Sequence, residues 1–158
     1  MMRRMDRHIQ DEAEIAAILK QAPFGTLALA EGDRPYLVAM NYGFITDGSG
    51  GLRLYFHGAP EGLKFDIIAK NPHVCFQAVS GVRIETAEEP CGWTCRYRSV
   101  VVRGDLTLVA DPEEKRSGLD ALMRQYGWKG ETGYPDSMLD RTAVLRLDAE
   151  SVTGKESG

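Results

Sequence analysis

Along the chain the spacing of apolar residues changes period several times. In DEAEIAAILKQA, residues 11–22, Ile15, Ile18, Leu19 and Ala22 recur at helical spacing. Acids occupy the first turn, where the helix dipole favours them, so the segment predicts an amphipathic helix. FGTLALA and PYLVAMNYGF are strand-like runs joined by the polar link EGDR, which reads as a hairpin. LRLYFH follows the loop TDGSGG as a third strand. Residues 55–72, YFHGAPEGLKFDIIAKNP, leave that strand through Gly58, Pro60 and Gly62. They enter a helix with Leu63, Ile67 and Ile68 on one side, closed at Asn71 and Pro72, and with Pro60 and Glu61 suited to its first turn.

HVCFQAVS predicts a fourth strand, and residues 81–94, rich in Glu, Gly and Pro, an irregular loop. CRYRSVVVRGDLTLVA reads as one long strand or a bent pair broken near Gly104. In DPEEKRSGLDALMRQYG, Asp111 caps, Pro112 takes the first helical position, and Leu119, Leu122, Met123 and Tyr126 repeat at helical spacing. A Gly-rich loop leads to a last strand, AVLRLDAESV, and a short polar tail over residues 154–158. About six strands among three helices, with mostly hairpin-length links, predict an α+β domain dominated by antiparallel sheet. Several strands carry apolar residues on both faces, which points to a closed or split barrel also covered by a partner subunit.

Composition narrows the classes. With 158 residues, 43% hydrophobic and 27% charged, the chain suits a single domain over 1–158 with one well-buried core and an N-terminal arm over residues 1–10. A formal net charge of -4 supplies no overall field for nucleic acid or an anionic membrane, so neither is an expected partner. The opening MMRRMDRHIQDE passes from bases to acids rather than to an apolar run. It therefore reads as neither signal peptide nor anchor, and the expected location is the cytoplasm. Three cysteines, Cys75, Cys91 and Cys95, suit free thiols, with Cys75 buried and inert inside an apolar strand. Cys91 and Cys95 stand as CxxxC without a second recognisable pair, so no metal site is expected. P-loop, GxGxxG, GxSxG and HExxH patterns are absent.

One junction carries candidate chemistry. Gly58 and Gly62 allow a tight turn and close backbone approach, the following helix start presents free amides, and Lys64 adds a positive charge. Together these would suit a phosphate. The same residues also suit ordinary turn punctuation.

The stretch YFHGAPEGLKFDIIAKNPHVCF resembles the hallmark of the nitroimidazole-resistance (Nim) proteins and their relatives in the pyridoxamine 5'-phosphate oxidase-like flavin-binding superfamily. PYLVAMNYGF, YRSVVVRGDLTLVADPEEK and AVLRLDAESVTGK match further blocks in order, so the resemblance covers residues 24–155. It implies an FMN-binding split β-barrel with flanking helices, working as a homodimer with FMN in a cleft at the subunit interface. Carried over by position, it implies Lys64, Arg98 and Ser99 as ligands of one phosphate, an arrangement that pairs a guanidinium fork with a point charge. Val38, Ala39, Met40 and Asn41 would run along the isoalloxazine ring, although Val38 and Met40 read equally well as plain core.

Tyr55 and His57 alternate with Phe56, so both face one side while Phe56 packs inward. The resemblance places them beside the flavin, with His57 as the reactive or substrate-contacting group, a proton donor to a bound acceptor or a haem ligand. The plainer reading of His57 is a strand-end histidine bonded to a carbonyl. Trp93, in CGWTC, would cap the flavin or substrate from the partner chain, or simply pack. The chain ends in VTGKESG, not in the arginine- and histidine-bearing segment of the true pyridoxamine phosphate oxidases, which points away from vitamin B6 oxidation. The implied activity is electron transfer from a nicotinamide or protein donor to a small-molecule acceptor, with nitro-aromatics among the candidates. The alternatives are haem binding or breakdown on the same barrel and a non-catalytic flavin carrier or sensor.

Overall fold

The computed structural model of the chain describes residues 7–157. Residues 1–6 of the expected N-terminal arm, and Gly158, lie outside the described residues.

Strand β1 (His8–Ile9) leads to helix α1 (Glu12–Gln21), whose Asp11 cap accepts from the Glu14 amide. Strands β2 (Gly25–Glu31) and β3 (Arg34–Met40) form the hairpin that EGDR predicts, with Gly32 at φ 63 in its turn. PYLVAMNYGF does not run through as one strand. It breaks at Asn41 and Tyr42, and β4 (Gly43–Thr46) then pairs with β5 (Leu52–Gly58). The break follows from packing: the Tyr42 ring is fully buried and its hydroxyl donates to the Leu19 carbonyl at 2.5 Å. At Gly43 a Cβ would overlap the Ala121–Leu122 backbone, so the chain is pressed against the later helix α3.

Helix α2 (Leu63–Lys70) is followed by β6 (His73–Glu85), which continues through residues 81–85, expected to be loop, past a register shift at Ser80/Arg83. Gly81, at φ 63, supplies the turn that this shift needs. A short 3-10 turn (Pro90–Gly92) precedes β7 (Thr94–Leu108), a single strand whose bend is absorbed by a register shift at Arg103/Gly104. Helix α3 (Pro112–Gln125), capped by Asp111, follows, then α4 (Asp136–Arg141). The latter lies in what reads as a Gly-rich loop; its one buried anchor, Leu139, is too little for periodicity to reveal.

Strand β8 (Ala143–Ser157) includes the expected polar tail. Gly154, Lys155 and Glu156 pair with Val100, Ser99 and Arg98 of β7, and the first two also with Ile9 and His8 of β1. Backbone pairing on both sides, which polar side chains do not oppose, makes the tail a strand.

The order is β3-β2-β6-β7-β8-β5-β4, with β1 added on β8 and every pairing antiparallel. This is the mostly antiparallel α+β split barrel that the sequence implies. The inner face packs Leu27, Leu54, Phe56, Phe76, Val100 and Leu147 against Ile18 and Leu19 of α1 and Ile67 of α2. A second core forms where Tyr55 and Val144 meet Leu119, Leu122 and Leu139 of α3 and α4. That second layer explains the apolar residues on both faces of β5 and β8. The opposite, outward face of β6, β7 and β8 forms a groove of about 340 Å³ lined by Gln77, Tyr97, Ser99, Arg103, Thr153 and Lys155, among others. Among the described residues no helix is long and apolar enough to cross a membrane.

Candidate functional site

Strand β5 ends at the junction. Its alternation turns Phe56 into the core and His57 outward into solvent. Helix α2 starts only at Leu63, with Gly62 at φ 118 as its cap, so Pro60 and Glu61 precede the helix rather than forming its first turn. Unlike α1 and α3, whose caps accept at 2.9 and 3.0 Å through Asp11 and Asp111, α2 has no side-chain cap. Its first amides therefore lack a side-chain acceptor. The Lys64 ammonium lies 5.1 Å from the Phe65 ring centroid and folds back on Gly58, where a Cβ would stand 3.2 Å from Nζ. Glycine at 58 keeps that amine uncrowded.

Tyr55 shares the face of His57 but is roofed by α3, with Gly118 close against its ring. Its hydroxyl meets Glu114 Oε1 at 3.2 Å, and Glu114 is held by Arg146 at 2.7 Å. Burial first, and then the Glu114 charge, push the Tyr55 phenol above its ordinary value. Hydrogen bonds to Glu114 and Asp148 raise Arg146 further. Tyr55 therefore anchors α3 on the barrel, and within one chain its ring reaches no open cleft.

On β3, Val38 and Met40 pack into the inner core, while Ala39 and Asn41 are exposed. As β3 is an edge strand paired only with β2, its other backbone edge stays available for a flat polar ligand. Trp93 is 55% exposed and donates from its indole to Ala87 O at 2.8 Å, closing its own loop.

Arg98 and Ser99 point to opposite faces. Ser99 lines the outward groove, whereas Arg98 lies on the inner side with Val100 and Val102 and meets Glu14 of α1 at 3.5 Å. The two side chains do not converge on one phosphate. Nor does one chain bring either to Lys64. Gly58 pairs with Ala143 at the start of β8, while Arg98 and Ser99 pair with Glu156 and Lys155 near its end.

Sequence reasoning missed Gln77, Tyr97, Arg103, Thr153 and Lys155, which share the groove with Ser99. The alternation in YRSVVVR and SVTGK carries that signal, because every second residue lands on the outer face. Cys75 is also on that face, half-buried opposite Arg103 rather than sealed in the core, and all three cysteines are free.

A family model described as pyridoxamine 5'-phosphate oxidase matches residues 11–156. The chain belongs to this family. Among solved structures, a candidate 5-nitroimidazole antibiotic resistance protein from Bacteroides thetaiotaomicron is 31% identical, with a TM-score of 0.81 over 94% of this chain and 86% of that one. The Nim-like resemblance therefore holds in three dimensions as well as in sequence. A flavocytochrome from Azotobacter vinelandii (TM-score 0.79, 20% identity, 100% of this chain and 72% of that one) shares the fold. So does an FAD- and haem-binding protein from Mycobacterium smegmatis (TM-score 0.78, 20% identity, 96% and 73%). No curated protein matches the chain.

Proposed function

We propose that this member of the family is an FMN-binding oxidoreductase working as a homodimer, with each cofactor held between the Lys64 junction of one copy and the outward groove of the other. The supporting observation is the separation of two donor-rich half-sites to opposite ends of β8. One offers Lys64 and the uncapped start of α2; the other offers Ser99, Arg103 and Lys155. A largely dianionic phosphate wants both cations and hydrogen-bond donors, and these residues fit it.

The free edge of β3 with Asn41 suits the polar edge of a flavin ring, and a bound flavin would supply the carrier for electrons. His57, exposed at the strand end, presents its imidazole to solvent, where it would serve as proton donor to a small acceptor. Electrons would come from a nicotinamide or protein donor, and a nitro-aromatic suits the acceptor role.

The absorption spectrum of freshly purified protein is the first test. Flavin bands support the reading, and a haem Soret band without them overturns it in favour of haem chemistry. Lys64→Gln is expected to weaken FMN affinity about ten- to a hundredfold in a fluorescence titration, the loss of a charge-assisted hydrogen bond. Unchanged affinity would remove Lys64 from the phosphate site.

A further inference from the structure

Among the described residues, four side-chain atoms are buried without a hydrogen-bond partner: Arg7 Nε, Ser80 Oγ, Arg98 Nε and Tyr134 Oη. Buried polar groups are paired in the great majority of cases, so each orphan needs an explanation. Three of the four fall in one place. Ser80 of β6 stands directly opposite Arg98 of β7, which stands opposite Glu156 of β8. Arg7, in a 3-10 turn immediately before His8, the partner of Lys155, stands beside the end of this row at Glu156.

Ser80 is 4% exposed, and the first turn of α1 approaches this row through Glu14. Among the described residues, nearby carboxylates do not account for the orphans. Glu14, half exposed, reaches only a terminal nitrogen of Arg98 at 3.5 Å, and Glu156 is exposed. Two guanidinium Nε–H groups and a hydroxyl thus remain donors without an acceptor. A tetrahedral or trigonal oxyanion, with several lone pairs on spread oxygens, is the kind of ligand that suits a set of such donors.

We propose that Ser80, Arg98 and Arg7 form a binding site for a small oxyanion, the phosphate or carboxylate group of a ligand, at the mouth of the barrel under the first turn of α1. This site is separate from the proposed cofactor phosphate, which Ser99, Arg103 and Lys155 would meet on the outward face of the sheet, whereas Ser80 and Arg98 point to the inner face. It gives Arg98 a role that its inward direction allows and that a phosphate shared with Ser99 does not.

The test is isothermal titration of the intact protein, in chloride buffer, with inorganic phosphate and with acetate. Saturable binding of either is expected at one site per chain that persists in Lys64→Gln protein, apart from any phosphate bound at the cofactor position; phosphate alone points to a phosphorylated ligand and acetate alone to a carboxylate. Arg98→Gln should weaken that binding about tenfold or more. Ser80→Ala, which removes only a hydroxyl, should weaken it in the same direction and serves if the arginine variant fails to fold. Lys64→Gln should leave it unchanged. The proposal is overturned if neither anion binds saturably, if binding survives loss of the Ser80 hydroxyl and the Arg98 charge, or if it disappears with Lys64→Gln.

Discussion

Replacing His57 by alanine is expected to slow reduction of a nitro-aromatic acceptor by about a hundredfold or more, the usual contribution of a positioned proton donor. Reduction of the protein-bound flavin by its donor should be retained. The expectation rests on where β5 puts this residue. Phe56 is buried and fixes the strand against the core, so the neighbouring His57 points outward, exposed, and no hydrogen bond among the described residues ties down its ring. A purely structural histidine would affect both half-reactions and the midpoint of unfolding together. Stopped-flow measurement of the two half-reactions separates these cases, and equal slowing of both would remove His57 from the chemistry.

Phe76→Ala should lower the free energy of unfolding by about 3–5 kcal/mol. Phe76 is fully buried, edge-on to Tyr42 at 4.9 Å and tilted against Phe56 at 5.4 Å. It also fills the space above Gly25, where any Cβ would overlap its ring. One side chain thus joins β2, β5, β6 and the break between β3 and β4. Domains are stable by about 5–15 kcal/mol, so this loss is a large share of the total. Urea denaturation should show a lower midpoint at unchanged slope. A loss under about 1 kcal/mol would mean that the core does not converge on this ring.

Much of this architecture was legible before any coordinates. The acidic first turn of α1, the cap Asp111, the hairpin link EGDR and the alternation around Phe56 are local signals, and each lies where local chemistry puts it. The misses are non-local. Residues 81–85 and 154–157 look like loop and tail because their side chains are polar, yet neighbouring strands supply backbone partners that sequence does not display. The break at Asn41 and Tyr42 depends on the contacts of Tyr42 with α1 and of Gly43 with α3.

At the site, His57 and Lys64 lie around the one junction that was singled out. The expectation that Arg98 and Ser99 share a phosphate overlooked strand alternation, which the sequence already contained. Whether two distant half-sites meet depends on a second copy, which no single chain encodes as a local pattern.

The composite site is most directly tested by mixing two flavin-deficient variants, Lys64→Gln and Lys155→Glu, co-expressed with different tags. Each alone should lose most of its flavin. If the cofactor lies between subunits, each mixed dimer regains one intact site, and statistical pairing should restore about a quarter of the full flavin complement. No recovery in isolated mixed dimers, or full flavin in Lys155→Glu alone, would contradict a site shared between Lys64 of one copy and the groove of the other.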